Sequence, residues 1–449
     1  MSAAGSATGS TAGAHEARPW PRALLWLAGL GPLFFLSYGA ANWLASRRAG
    51  VGSLVFDWEH AIPFWPWTIL PYWSIDLLYA LSLFVCTTRR ELDAHGRRLL
   101  TAQLVAVSAF VLVPLRFTFE RPPVDGLPGA LYALLGSFDL PYNQAPSLHI
   151  ALLLILWVRF DAHTGRRWRW LLHVWFALIG VSVLTTWQHH FIDVPTGMWL
   201  GLFAIALFPT DGTLPALSRP DARRIALAAR YGLGAAACAV AGAWAGGLGW
   251  LLLWPAGALA LVALIYLAGD PRLFRKGHDG RMNPAMLVLF GPYLFGAWLN
   301  ARLWTLVHPE PSEIAPGVWL GRVPRRRERE RAGFDALLDL SAELPVDRRG
   351  VASRGVPMLD LLPPEPAQIE AAVPALGGRH GGRHATLVCC ALGYSRSALV
   401  SAAWLFASGR ADSLAAAVGQ VRKSRPRVVL KPAHLARLNE WAGTRGLPT

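Results

Sequence analysis

The most reactive set of side chains in the sequence lies near its C-terminus, between Cys390 and Ser397. Five residues separate Cys390 from Arg396, and Ser397 follows the arginine directly. A loop of this length can wrap an oxyanion, with inward-pointing backbone N–H groups and the arginine fork as its ligands. The thiolate at the base of the loop could then attack phosphorus and form a covalent phosphocysteine. Spacing alone leaves one alternative open, a buried structural cysteine beside a surface arginine.

The residues around this loop favour the chemical interpretation. Leu387-Val388 predicts a buried strand that leads into the loop, and a helix beginning near Ser397 would direct its positive end at a bound anion. Gly393 allows the backbone to turn around a phosphate, and Ser395 is a further phosphate-binding candidate. Ser397 can hydrogen-bond the thiolate. Asp360, on an upstream loop after a strand, is the candidate general acid.

These residues resemble the dual-specificity branch of the protein tyrosine phosphatase superfamily over about 314–440. The sequence departs from that family at Cys389, where histidine is usual. A neighbouring cysteine could trap an oxidised nucleophile reversibly, and we treat this role as a hypothesis. Asp339 and Ser341 are predicted to be strand-end and turn residues. The resemblance implies the nucleophile, the phosphate clamp, the thiolate partner and the general acid, which are Cys390, Arg396, Ser397 and Asp360 respectively.

Most of the chain before this region has the composition of a membrane protein. Hydrophobic residues make up 53% of the 449 residues and charged residues 16%, whereas soluble domains carry about 25% charged residues. The net charge of +15 then indicates arginine-rich cytoplasmic loops rather than nucleic-acid binding. Nine apolar runs of about spanning length are predicted, at 22–46, 67–88, 98–117, 147–160, 168–187, 193–209, 224–246, 248–269 and 285–304.

Arginine clusters set the predicted orientation in a cell (inner) membrane. They follow the second, fourth, sixth and eighth runs, so these loops and the N-terminus are expected in the cytoplasm. Nine full crossings would leave the C-terminal domain outside, whereas a reactive thiolate needs a reducing compartment. The ninth run contains Asn300 and Arg302 and is interrupted at Gly291-Pro292. We therefore predict a re-entrant or interfacial segment there and a cytoplasmic C-terminal domain.

Three polar clusters fall where apolar residues would be expected, and the predicted topology puts all three on the outer face. Ionisable side chains at the ends of spanning helices are costly, which makes them functional candidates. Two of them, His189 and Asp193, are four residues apart, so on a helix the carboxylate can orient and polarise the imidazole. The clusters contain Arg116 and Arg121, Ser147 and His149, and His189 and Asp193.

This set resembles the type 2 phosphatidic acid phosphatase superfamily over about 65–210. Pro114 stands where the family has its first-motif lysine, for which Arg116 could substitute, and Val183 stands where it has its third-motif arginine. The missing third-motif arginine is similar to the branch that contains inositol phosphorylceramide and sphingomyelin synthases. That branch passes a phospho-headgroup to an alcohol, so transfer and hydrolysis both stay open. The structural alternatives are helix-end hydrogen bonds or a metal pair, and His190 and Glu120 are predicted to be plain interfacial residues. The resemblance implies a phosphohistidine at His189 supported by Asp193, an acid at His149, and phosphate ligands at Arg116, Arg121 and Ser147.

The sequence therefore predicts a multi-pass α-helical membrane domain, a type 2 phosphatidic acid phosphatase-like bundle plus extra helices, followed by a small α/β dual-specificity phosphatase domain. The expected function is a bifunctional membrane phosphatase that needs no cofactor or metal and acts on a phosphorylated membrane lipid or a phosphoprotein. One alternative is a cysteine phosphatase with a non-catalytic membrane sensor, and another is a lipid headgroup phosphotransferase with a regulatory phosphatase. The predicted boundaries are a disordered N-terminus at 1–20, the membrane domain at 21–210, additional helices at 211–305 and the phosphatase domain at 311–449.

Overall fold

The computed structural model describes residues 17–210, 217–376 and 385–446. The predicted disordered N-terminus lies outside these ranges up to residue 16, and the first helix begins at Trp20. The chain divides into two compact units, Met1–Thr213 and Leu214–Thr449. The helices predicted at 211–305 therefore cluster with the C-terminal domain rather than with the helices before them.

The first unit is a bundle of helices that are apolar over most of their length. Two of them, α5 (Leu148–His163) and α7 (Asp193–Leu207), pack closely at two glycines of α7. A Cβ at Gly197 would lie 2.4 Å from the backbone oxygen of Ser147, and one at Gly201 would lie 2.8 Å from that of Ala151. The helices are α1 (Trp20–Ser46), α2 (Ile69–Val85), α3 (Arg89–Leu112), α4 (Gly126–Gly136), α5 (Leu148–His163), α6 (Arg169–Thr185) and α7 (Asp193–Leu207).

The second unit begins with four further helices, α8 (Ala222–Ala245), α9 (Leu253–Ala268), α10 (Pro284–Leu289) and α11 (Gly291–Trp304). Each of the nine predicted apolar runs coincides with helix in the described residues. Length and composition suffice for membrane crossing in four stretches of the described chain, which is fewer than the nine predicted runs. These stretches are Trp20–Ser46, Pro66–Val85, Ala222–Ala245 and Gly247–Ala268.

The C-terminal part of the second unit is a five-stranded sheet with helices around it. The strand order is β1-β2-β5-β3-β4, in which β1 is antiparallel to β2 and the other neighbours are parallel. The strands are β1 (Ser312–Ala315), β2 (Val318–Arg322), β3 (Ala336–Ser341), β4 (Ala352–Met358) and β5 (Thr386–Cys390). The helices are α12 (Arg326–Ala332), α13 (Pro366–Ala372), α14 (Arg396–Ala407), α15 (Leu414–Ser424) and α16 (Pro432–Thr444).

The apolar patterns of β3 and β5 predict buried parallel strands, and both strands are buried at every position. Four parallel strands, β2, β3, β4 and β5, end at one edge of the sheet. The loops that follow them are therefore gathered at that edge, which is where parallel sheets place their ligand sites. We call it the catalytic edge below.

The ninth predicted run is two helices, because α10 ends at Leu289 and α11 begins at Gly291. With 14 residues α11 is about 21 Å long, which is short of a hydrocarbon core of about 30 Å. Both flanks of this pair contact the sheet domain. Before α10, Val346 N–H donates to the Gly280 carbonyl (2.8 Å), and at the end of α11 the Arg302 guanidinium donates to the Val323 carbonyl (3.1 Å). The segment therefore leaves the sheet domain and returns to it.

Candidate active sites

The first candidate site is the loop between β5 and α14. The Sγ atom of Cys390 lies 3.1 Å from Ser397 Oγ, and the Gly393 N–H donates to it at 3.3 Å. Cys390 is only 2% exposed, at the base of the loop. Hydrogen bonds to sulfur stabilise the thiolate, which is the form of cysteine that acts as a nucleophile.

Gly393 is required by this loop for two reasons. Its φ is +76°, a conformation that side chains with a Cβ rarely adopt. A Cβ at this position would also lie 2.4 Å from the backbone carbon of Gly321 in β2. The loop can therefore fold against the neighbouring strand only with glycine here.

Arg396 is the first residue of α14, and its guanidinium is almost completely buried. Glu343, which follows β3, accepts two hydrogen bonds from it at 2.7 and 2.8 Å. The Met358 carbonyl accepts a third at 2.8 Å. Burial alone would raise the pKa of Glu343, but the charge and hydrogen bonds of Arg396 outweigh it and lower that pKa. Sequence reasoning gave Glu343 no role, although its place just after a buried strand end was the available signal.

Asp360 lies on the loop after β4, with its Oδ1 atom 3.0 Å from Nη2 of Arg396. Its side chain is 31% exposed, so it is accessible to solvent. Partial burial, together with the charge of Glu343, raises the pKa of Asp360 despite the opposing charge of Arg396. A carboxyl group that keeps its proton to higher pH is suited to act as a general acid. The predicted residues Cys390, Arg396, Ser397 and Asp360 thus meet at the catalytic edge.

Ser395 is held by His434, which the sequence did not reveal as part of the site. The serine Oγ lies 3.0 Å from Nε2 of His434, and Lys431 N–H donates to the other ring nitrogen at 3.2 Å. This places the ring proton on Nε2, where it donates to the serine. Burial and the nearby positive charges of Arg223 and Lys431 lower the pKa of His434. His434 therefore orients Ser395 as a neutral imidazole.

Cys389 points away from the loop. Adjacent residues on a strand face opposite sides of the sheet, and Cys389 packs with Ala301 and Leu337 whereas Cys390 belongs to the other core. Burial, and secondarily the charge of Asp339, raises the pKa of the Cys389 thiol well above its ordinary value. A neutral thiol on the opposite face is poorly placed to capture an oxidised Cys390, which argues against the redox hypothesis.

The second candidate site lies in the first unit, where α5 and α7 begin. His189 Nδ1 is 3.1 Å from Asp193 Oδ2, and its Nε2 is 3.2 Å from Ser147 Oγ. All three side chains are buried. The ring of His149 stacks on Tyr72 with centroids 4.1 Å apart, and its buried Nε2 has no hydrogen-bond partner within the described part of the chain. The spacing predicts the contact between His189 and Asp193, and the structure also joins Ser147 to His189.

The two predicted phosphate-binding arginines are not joined to this group. Arg116 and Arg121 are exposed, and Arg121 lies over the ring of Tyr132 at 5.2 Å. Across the described ranges, neither guanidinium hydrogen-bonds to a histidine.

The prediction that His190 is a plain interfacial residue was wrong. His190 is 2% exposed, and its Nδ1 lies 3.1 Å from Glu59 Oε2. The Thr118 N–H donates to its other ring nitrogen at 3.2 Å. Glu59, in the polar insert between the first two apolar runs, was the available signal. Glu120 is exposed, as predicted. Within the described ranges, three or more histidine, cysteine, aspartate or glutamate side chains nowhere form a group that could hold a metal ion.

No protein-family model matches the chain, and no curated protein does. Among solved structures, the chain is similar to Tk-PTP in its active form, with 29% identity over 30% of this chain and 98% of that chain and a TM-score of 0.28. Human DUSP28 is 30% identical over 30% of this chain and 97% of that chain, with a TM-score of 0.27. PTPMT1 in complex with PI(5)P is 20% identical over 30% of this chain and 95% of that chain, with a TM-score of 0.27. These neighbours are dual-specificity or protein tyrosine phosphatase structures, and none of the three covers more than a third of the chain.

Proposed function

We propose that the C-terminal sheet domain is a cysteine-dependent phosphoric monoester hydrolase. One observation carries the proposal: a hydrogen-bonded Cys390, the buried clamp Arg396 and the acid Asp360 converge at one edge of the sheet. A structural cysteine would need neither the Ser397 hydroxyl at its sulfur nor a buried guanidinium beside it. The arrangement supplies a nucleophile, an anion ligand and a proton donor, which are the groups that phosphate transfer to sulfur requires.

The chemistry follows from these positions. The Cys390 thiolate attacks phosphorus, an S–P bond forms, and the P–O bond to the leaving alcohol breaks while Asp360 gives that oxygen its proton. Water then attacks the phosphocysteine, and the Asp360 carboxylate takes a proton from it. The S–P bond breaks, inorganic phosphate leaves, and Ser397 donates to the returning thiolate. The guanidinium of Arg396 and the loop N–H groups stabilise the oxygens of phosphorus in both steps.

The proposed substrate is a phosphate carried on the membrane, and the proposed location of the domain is the cytoplasmic face. Its helices α8 and α9 fall within stretches long and apolar enough to cross a bilayer. The basic loop after α9 is bound to the sheet domain, because Lys276 Nζ lies 2.5 Å from Asp339 and donates to the Ser341 carbonyl at 2.8 Å. Basic loops favour the cytoplasm, where thiols stay reduced. Tethering also raises the local concentration of substrates in the same membrane.

A second candidate function is histidine-dependent phosphate transfer from a lipid in the first unit. The observation that favours it is the buried series of Ser147, His189 and Asp193, near a His149 Nε2 atom that has no hydrogen-bond partner among the described residues. In this proposal His189 Nε2 forms an N–P bond as the bond to the leaving oxygen breaks, and His149 protonates that oxygen. Water or an alcohol then attacks phosphorus, the N–P bond breaks, and His149 takes the proton of the attacking oxygen.

Phosphate release and headgroup transfer from a panel of phospholipids would test both candidates. The full chain in liposomes would be compared with Cys390→Ser and His189→Ala, and with Cys238→Ser and His173→Ala as matched controls away from either site. We expect each site variant to lose a different activity and the controls to lose none. If only Cys390→Ser loses activity in every assay, the histidine proposal fails. If both site variants retain full activity, both proposals fail.

A further inference from the structure

The catalytic edge opens onto a cavity of about 370 Å³ within the second unit. One wall belongs to the catalytic loops and includes Asp360, Leu361 and Leu392. The opposite wall belongs to helices that precede the sheet domain and includes Leu259 of α9 and Gly296 of α11. The cavity therefore joins the proposed phosphate site to the apolar helices of the same unit.

Hydrogen bonds hold both catalytic loops against these helices. The Tyr266 hydroxyl, near the end of α9, donates to the Asp360 carbonyl at 3.0 Å. The Tyr394 hydroxyl donates to the Trp304 carbonyl, at the end of α11, at 3.4 Å. The general-acid loop and the cysteine loop thus each have a partner on a different helix, so the cavity between them has fixed walls.

The cavity extends well beyond the phosphate site. Leu259 lies seven residues before Tyr266 on α9, which corresponds to about 10 Å along the helix axis. Beside the acid, Leu361 has a φ of +60° and a side chain that is 53% exposed. A left-handed leucine is strained, and such strain is typical of functional sites. Here it presents an apolar side chain to the cavity beside Asp360.

We propose that the substrate of Cys390 is a lipid phosphomonoester whose alkyl chain lies in this cavity between α9 and α11. The inference rests on the proposed hydrolase function and names its substrate class. The phosphate would bind Arg396 and the loop N–H groups, while the chain would contact Leu259 and Leu361. The cavity wall is mostly apolar, although Tyr231, Tyr293 and Asn300 also line it. An alkyl chain needs no hydrogen-bond partners along the apolar part, whereas a phosphopeptide would bring backbone groups that do. Because α9 is apolar enough to cross a bilayer, such a lipid can reach the cavity from the membrane.

A series of soluble alkyl phosphates, from butyl to decyl phosphate, tests the cavity with the full chain in detergent. Each methylene that enters apolar surroundings contributes up to about fourfold in affinity, so kcat/KM should rise by up to that factor per methylene until the cavity is full. If kcat/KM stays constant or falls as the alkyl chain lengthens, the inference is overturned. So does turnover of a phosphotyrosine peptide that exceeds that of decyl phosphate. If the parent hydrolyses no alkyl phosphate and no phosphopeptide, the hydrolase proposal itself fails.

Filling the cavity gives an independent test. A Cβ at Gly296 would meet no atom within 4 Å, so Gly296→Trp can be accommodated and its ring would occupy space meant for the chain. The ratio of kcat/KM for decyl over butyl phosphate should fall at least about tenfold. Gly232→Trp, on α8 with the same open surroundings and outside the cavity, should leave that ratio unchanged.

Leu361→Asn removes the apolar side chain that would contact the alkyl chain. Because asparagine tolerates the left-handed conformation, folding should be retained. It should also lower the decyl-to-butyl ratio, through KM for decyl phosphate. Ratios that stay at the parent value in both Gly296→Trp and Leu361→Asn would overturn the assignment of the cavity to the alkyl chain. An equal loss of kcat/KM for decyl and butyl phosphate in both variants would also overturn that assignment.

Discussion

The ion pair between Glu343 and Arg396 offers a test of how the site is built. Both side chains are at most 3% exposed, and two hydrogen bonds of 2.7 and 2.8 Å join them. Removing one partner of a buried pair costs about 3–5 kcal/mol. Arg396 would keep Asp360 and the Met358 carbonyl, so we expect the lower end, about 3 kcal/mol, for Glu343→Ala. Glu343→Gln should cost about half as much, because its amide oxygen still accepts one bond.

The same substitution should change the pH dependence of catalysis. The charge of Glu343 helps burial to raise the pKa of Asp360, and the charge of Arg396 opposes it. Without the carboxylate of Glu343, the pKa of Asp360 falls and the acid loses its proton at a lower pH. The alkaline limb of kcat should therefore move to lower pH in Glu343→Gln. Arg396 would also be held less firmly in Glu343→Gln, which should reduce kcat by about 10- to 100-fold.

Thermal unfolding followed by tryptophan fluorescence, and p-nitrophenyl phosphate hydrolysis across pH, would measure these effects. A loss of about 3 kcal/mol should lower the melting midpoint of a unit of this size by about 6–12 °C. Glu370→Gln is the matched control, because Glu370 pairs with Arg445 at the surface, with side chains 47% and 34% exposed. It should cost less than about 1 kcal/mol. An unchanged alkaline limb together with an unchanged midpoint in Glu343→Gln would refute the reasoning.

Variants at three further residues test individual roles. Asp360→Asn should lower kcat for alkyl phosphates by about 10²–10⁴-fold and abolish the alkaline limb of the pH profile of kcat. The reason is that the parent should lose activity as pH rises through the pKa of this acid. An alkaline limb that persists in the variant would contradict the assignment of Asp360 as the acid. His434→Ala should lower kcat about tenfold with little change in KM, whereas His434→Gln, which can still donate to Ser395, should recover most of it; equal losses in both would indicate a purely structural role. Asp193→Asn should reduce histidine-dependent lipid turnover by about 10²–10⁴-fold and leave hydrolysis by Cys390 intact, as an assay of both activities would reveal.

The arrangement of the cysteine loop was predictable because its residues are close in sequence. Cys390, Gly393 and Arg396 share one short loop, so their spacing already limits how they can meet. Asp360 could be proposed because parallel strands end at one edge, which brings distant loops together. Glu343 and His434 were not predicted, because their contacts with Arg396 and Ser395 depend on how separate elements pack rather than on spacing.

The first unit contains one contact that sequence reasoning could predict and others that it could not. The pair of His189 and Asp193 was predictable from helical spacing, and the structure brings them within 3.1 Å. The burial of His190 was not predictable, because its partner Glu59 lies 131 residues away in the sequence. The contacts of Arg121 were not predictable either, because its position near the end of an apolar run does not determine which way a long exposed side chain points.

The cytoplasmic location proposed for the sheet domain can be argued from contacts within the second unit, without counting all crossings. Lys276, in the basic loop after α9, has a side chain that is only 6% exposed and forms an ion pair with Asp339 of β3. In a chain whose α9 spans a bilayer, this contact would keep the domain on the side where α9 ends, and α11 contacts the domain again through Arg302 and Val323. If α9 crosses the bilayer, the basic loop favours the cytoplasm for that side. The Cys390 loop would then face a reducing compartment, and its cavity would extend from there along α9 into the apolar layer, which is the geometry that a lipid phosphate needs to reach the thiolate without leaving the membrane.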